Sequence, residues 1–231
     1  MSSLVFLQVA TPYTFRWNVL IPYLPAFARG LLVTFQVSIV AEIVGIVLGL
    51  VAALARLSRW GGLQLAAIGY IDFFRGVPLL ATLVWFYYGV SLLFGINFTA
   101  FSAGVAGLGI TYGAYLAEIF RAGIQAIPRG QNEAAHTLGL SSWQIMQHVI
   151  LPQAVRIALP PIGNSFVSML KDSSLIAVLA VTDLMRVGMI VASDTFRAFE
   201  AYTFVAVVYY FATVIVARGL SLVERRFAIS R

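Results

Sequence analysis

The sequence predicts an all-α integral membrane protein of about five transmembrane helices with a polar helix-turn-helix loop on its cytoplasmic side. Composition and hydropathy pattern both point there. Hydrophobic residues make up 61% of the 231 residues and charged ones only 10%, against roughly 45–50% and about 25% in soluble domains. The mean hydropathy is +0.92. The apolar residues gather into runs close to the ~20 residues a helix needs to cross a hydrocarbon layer about 30 Å thick.

Taken in order, residues 1–30 contain Pro12, Pro22 and Pro25 among Phe15, Trp17, Tyr23 and Phe27. Such aromatics favour the membrane interface, and this stretch reads as an interfacial elbow. It lacks a basic n-region and a small-residue cleavage site, which argues against a removed signal peptide. The first span, 31–55, is broken only by Gln36 and Glu42 and stops at Arg56, Ser58 and Arg59. Glu42 has no partner in the local sequence and is expected to face the protein interior. Residues 62–75 are too short to cross and read as a slanted cytoplasmic lead-in, with Asp72 and Arg75 spaced to pair on one helical face. The second span, 77–95, carries no charge, and the third, 100–120, holds Glu118 near its end. Glu118 and Arg121 read as a solvated pair at the inner interface. Gly45 with Gly49, and Gly109 with Gly113, would permit close helix contact.

The fourth span, 157–181, is the least regular because Lys171 and Asp172 interrupt it, and the fifth, 201–217, leads into a charged tail at 218–231. With an external N-terminus, Arg56, Arg59, Arg75, Arg121, Arg129, Arg156, Arg218, Arg225, Arg226 and Arg231 fall inside. Only Arg16, Arg29, Arg186 and Arg197 fall outside. The positive-inside rule therefore favours an external N-terminus and a cytoplasmic C-terminus. The net charge of +6 is scattered between apolar runs and forms no stripe for nucleic acid. The chain reads as a single transmembrane domain, 1–231, without repeats.

Between the third and fourth spans, residues 125–156 form the largest polar insertion. Gln131 to Leu138 read as a helix with Ala134, Ala135 and Leu138 along one face, and Gly139 suits the left-handed position after a helix end. Ser141 and Gln144 have capping-box spacing, so a second short helix carries Trp143, Ile145, Met146 and Val149 until Pro152 ends it. This predicts a compact knob.

Within the knob, Glu133-Ala134-Ala135, then Gly139, then Ile150-Leu151-Pro152 resemble the EAA loop of bacterial ABC-importer permeases. The final isoleucine–x–leucine–proline lacks its x. The stretches IPYLPAFARGLLVTF, YIDFFRGVPLL and LPPIGNSFVSMLKDSSL are similar to polar amino acid permeases of the histidine, glutamine and arginine uptake type. The resemblance implies a type I importer permease fold in the bacterial inner membrane. It implies that Glu133, Ala134, Ala135, Gly139, Leu151 and Pro152 belong to a coupling helix seated on a cytoplasmic ABC ATPase dimer. It further implies a second permease subunit, identical or related, and an external amino-acid-binding protein. Similar permeases for basic amino acids often carry an acid where Ser165 stands here, so an arginine or histidine cargo is not favoured.

No catalysis is expected on this chain. With no Cys and two His, a thiolate or histidine-rich metal site is not expected. The only lysine, Lys171, follows Leu170, so the Gly-Lys-Ser/Thr phosphate loop is missing; ATP and Mg are expected on the partner ATPase. If the fourth span becomes helical near Pro160, Lys171 lies roughly 16 Å deep. Ionisable groups at that depth cost about 2.5–3.5 kcal/mol each on insertion scales and mark pathways. Adjacent Lys171 and Asp172 cannot share one helical face, which suggests a helix break there, and they complement an amino acid's carboxylate and ammonium. Asn164, Ser165 and Ser168 would line the same path. Two readings stay open for Lys171 and Asp172: substrate contact, or a structural role. The competing function is an ATP-independent pore or secondary transporter gated by these two residues; a membrane scaffold is a third. Neither needs a capped knob.

Overall fold

The structure, a computed structural model, describes residues 13–227; the start of the predicted elbow and the end of the tail, with Arg231, lie outside the described residues. All regular structure among them is helical. A 3-10 turn, Trp17–Tyr23, runs straight into α1, Leu24–Arg56. Pro25 stands in the first turn, where its missing N–H is no loss. The helix therefore begins before the apolar run at residue 31, and residues 24–30 of the expected elbow continue into it without a break.

α2, Gly61–Gly76, and α3, Leu79–Phe94, meet at 107°. The break falls at Val77 and Pro78, both extended, because a proline disfavours helical geometry in the residue before it. α4, Ala100–Gln125, starts from a Thr99 cap whose hydroxyl accepts the Ser102 N–H. The lead-in expected at 62–75 packs against the bundle. The Tyr70 hydroxyl donates to the Ile110 carbonyl at 2.7 Å, and Ile71 packs with Ala52 and Ala117, so α2 climbs along α1 and α4 before the bend. Asp72 and Arg75 form no ion pair.

α1 and α4 run parallel at close range. A Cβ on Gly45 would meet the Gly109 carbonyl and the Gly113 N at 3.4 Å, and one on Gly109 would meet the Ala41 carbonyl at 3.2 Å. Both small-residue pairs thus face each other, as lipid-immersed helices require when packing, not water, drives association. Glu42 is buried, at 7% exposure, and neither of its carboxylate oxygens has a hydrogen-bond partner among the described residues.

After α4 come α5, Arg129–Thr137, and then α6, Ser142–Leu179, α7, Leu184–Thr195, and α8, Ala198–Phe227. α6 climbs past α4, antiparallel to it: Ala154 and Ala158 pack on Gly123, and Ile176 on Gly104. α6 and α7 are bent by 51° at residues 180–183, where Ala180 takes φ +62°. The Asp183 carboxylate caps α7 by accepting the Arg186 N–H at 2.9 Å. Three helices are long and apolar enough to cross a membrane, and counting each bent pair as one span gives five crossings among the described residues.

Polar ties hold the two ends of the bundle. At the end carrying the α4–α6 connection, Glu118 pairs with Arg121 at 2.7 Å and with Arg56 of α1. At the far end, fully buried Glu200 accepts from the Tyr13 hydroxyl and, at 2.9 Å, from the Arg16 N–H. This pins the chain before α1 to the start of α8.

Candidate functional site

Two features stand out along α6. The first is the knob between α4 and α6. α5 ends in a Schellman motif, with the Leu140 N–H donating to the Ala135 carbonyl at 3.2 Å and the Gly139 N–H to His136 at 3.0 Å. Gly139 has φ +79°, the conformation glycine tolerates best. Ser141 and Gln144 form the complete capping box. Ala135 and Ile145 are buried beneath the turn, while Leu138 and Trp143 are 80% and 72% exposed. Glu133 and Ala134 are also exposed, so the expected shared face of Ala134, Ala135 and Leu138 divides: Ala135 points inward and the other two outward.

The second knob helix does not stop at Pro152. Its first turn passes through a π turn, Met146–Ile150, directly into the long segment Leu151–Asp172. Pro152 sits in the first turn after the π turn, where the widened backbone admits its ring without an N–H to donate. Leu151 and Pro152 are exposed on α6 itself. The prolines at 160 and 161 are likewise carried inside the helix.

The second feature is a cavity of ≈ 360 Å³ near the middle of α4 and α6, within the ordinary range for small-molecule sites. Tyr112 and Tyr115 line it from α4, and Asn164, Ser165, Ser168 and Asp172 from α6. The Tyr112 hydroxyl donates to Asp172 at 2.7 Å. α-helical geometry ends at Asp172 and a 3-10 turn, Ser173–Leu179, follows. The Ser173 hydroxyl donates to the Leu170 carbonyl at 2.8 Å, satisfying one backbone group at the transition.

Four of the five pathway residues read from the sequence therefore meet at one place, and Lys171 does not. It opens onto a separate space of ≈ 370 Å³ with Ser174, Met185, Tyr202 and Tyr209. Adjacent residues on a helix point about 100° apart, and here that angle sends the two charges to different cavities. Sequence reasoning missed Tyr112 and Tyr115, which supply the opposite wall. Nothing local marks them, since tyrosine among glycines in a span reads equally as packing. It also missed the tip formed by Leu138 and Trp143.

Residues 45–229 match the family described as binding-protein-dependent transport system inner membrane component. The chain is 38% identical over 216 residues to the probable amino-acid ABC transporter permease protein YckA of Bacillus subtilis (strain 168), covering 94% of this chain and 95% of that one. It is 35% identical over 218 residues to the glutamine transport system permease protein GlnP of Escherichia coli (strain K12), covering 93% and 99%. A solved crystal structure of an amino acid ABC transporter with histidines is similar at a TM-score of 0.88 and 42% identity, over 93% of this chain and 100% of that one. With near-complete coverage by relatives and a bundle built from bent and straight spans, the chain belongs to the binding-protein-dependent transport system inner membrane component family.

Proposed function

We propose that this chain is the membrane-spanning permease subunit of an ATP-driven importer of a polar amino acid, moved by a separate ATPase that grips the knob. The observation that carries this reading is continuity. The helix capped at Ser141 inside the knob is the same helix that presents Asn164, Ser165, Ser168 and Asp172 to the cavity. Some thirty residues at about 1.5 Å each span roughly 45 Å, so a tilt of the knob becomes a displacement of the cavity wall.

The relatives named above are described as amino-acid and glutamine permeases, which supports an amino acid as cargo and lends nothing to an ATP-independent pore or a scaffold. In this reading the knob end faces the cytoplasm, with the N-terminus outside and the C-terminus inside. ATP and Mg bind an ATPase dimer, a second permease subunit completes the pathway, and an external binding protein delivers the amino acid. Asp172 meets the ammonium, displacing Tyr112 from it, and Asn164, Ser165 and Ser168 offer uncharged donors and acceptors to a polar side chain.

The test is transport by the reconstituted complex. Asp172→Asn removes one charge-assisted contact, a loss of roughly 10- to 100-fold in affinity, so ATP-driven uptake of labelled amino acid at low concentration is expected to fall by about that factor. The ATPase subunits should still co-purify. Uptake at the wild-type level would remove the cavity from the pathway.

A further inference from the structure

The cavity holds one formal charge, and it is the anion Asp172. An amino acid also brings a carboxylate, which needs a cation or several donors when it leaves water. Lys171, the residue the sequence suggested for that role, opens onto a different space.

A cation on another helix is better placed. Arg75 occupies the last turn of α2, directly before the 107° break. Its guanidinium carbon lies 5.5 Å from the centre of the Tyr115 ring, and Tyr115 is a wall of the cavity. Tyr115 is therefore a neighbour shared by Arg75 and the site. The depth of Arg75 follows from its neighbours: Ile71, one turn earlier, packs on Ala117, and Leu83, beyond the break, lies on Gly107. Arg75 is thus level with the middle of α4, although its charge counts among the inner ones by sequence alone. Arginine at that depth usually faces a water-filled path or a partner. Arg56, Arg121 and Arg197, near the ends of the bundle, are all paired with a carboxylate, whereas Arg75 has none within 4 Å among the described residues. Its side chain is exposed.

We propose that Arg75, in place of Lys171, meets the carboxylate of the transported amino acid. The inference rests on the reading of the cavity as the amino acid site. The planar guanidinium can take a carboxylate with two parallel hydrogen bonds, and the face of Tyr115 holds it oriented until then. Rotation of the Tyr115 ring, or a shift of the α2–α3 break, joins Arg75 to the cavity. The amino acid then bridges two spans, Asp172 on α6 at one end and Arg75 on α2 at the other.

Two probes separate the roles: L-glutamine, and 4-aminobutanamide, the same molecule with hydrogen in place of its α-carboxylate. Binding of each is measured on the purified permease–ATPase complex carrying the wild-type chain, Arg75→Gln, Arg75→Lys, Lys171→Gln or Asp172→Asn. Wild type should prefer glutamine by about 10- to 100-fold. Arg75→Gln should bring that preference close to one while 4-aminobutanamide binds as before, which also certifies that the variant is folded. Arg75→Lys, which keeps the charge without the fork, should fall between, and Lys171→Gln should keep the full preference. A preference that survives Arg75→Gln and vanishes in Lys171→Gln overturns the proposal. If Asp172→Asn weakens both probes while Arg75→Gln changes nothing, only the role of Arg75 fails. If Asp172→Asn binds both probes like wild type, or wild type binds neither, the cavity reading falls and takes this inference with it.

Discussion

Replacing Gly139 with isoleucine is expected to abolish ATP-driven uptake while the permease still inserts in the membrane. The position has φ +79° and nothing lies within 4 Å of where its Cβ would stand. The effect is therefore conformational and involves no clash. An L-residue in the left-handed region costs about 1–2 kcal/mol, and a β-branched one is a stronger outlier. The turn escapes that cost by leaving the Schellman geometry, which gives up the bonds from Gly139 to His136 and from Leu140 to Ala135. Ser141 and its capping box then reorient, and the exposed side chains of Leu138 and Trp143 are displaced relative to each other. Since 1.4 kcal/mol is a factor of ten, uptake by reconstituted vesicles should fall at least about tenfold, with membrane abundance near wild type by immunoblot. Gly139→Asn, which tolerates the left-handed region, should retain most activity. Full activity in the isoleucine variant would show that the knob geometry is irrelevant to transport.

The second large effect concerns stability. A side chain at Gly49 would place its Cβ 2.8 Å from Leu116 Cβ, 2.9 Å from the Gly113 carbonyl oxygen and 3.0 Å from the Ala117 nitrogen. Two of those three are backbone atoms of α4 and cannot rotate away. Gly49→Val must push α1 and α4 apart along their whole contact, opening the Gly45 and Gly109 approaches as well. Overpacking typically costs about 1–3 kcal/mol, and a clash with backbone puts this substitution at the upper end, about 3 kcal/mol. For a chain of this size that corresponds to a fall of roughly 6–12 °C in Tm, measured by thermal unfolding in detergent. Gly69→Ala provides the control: nothing lies within 4 Å of its Cβ, and helix propensity favours alanine by up to about 1 kcal/mol. Equal Tm values for the two variants would contradict the close packing of α1 on α4.

What the sequence revealed and what it concealed divide along the range of the interactions. The Gly139 turn and the Ser141–Gln144 box are settled within a few residues, so their spacing alone announces them. The same holds for the divergence of Lys171 and Asp172, which follows from helical pitch. The course of α2 was hidden, because whether 62–75 lies under the bundle or climbs into it depends on Tyr70 and Ile71 finding α4, forty residues away. Arg75 was hidden with it: beside Asp72 in sequence, it looked paired, whereas the packing of α2 on α4 sets its guanidinium over Tyr115. Pro152 misled in the opposite direction, since a π turn that no local pattern declares lets α6 run through it. That continuity joins knob to cavity and is what the proposed coupling rests on.

The most direct measurement exploits the absence of cysteine from the chain. A Trp143→Cys variant carries a single thiol at the exposed tip of the knob and can be fitted with a maleimide–benzophenone photocrosslinker. Irradiating the assembled transporter in membranes should tie the permease to its ATPase subunit. A membrane-impermeant maleimide added to intact cells should leave the thiol unlabelled. A thiol reached from outside, or a knob that captures no ATPase in a transporter that still takes up amino acid, would contradict the account.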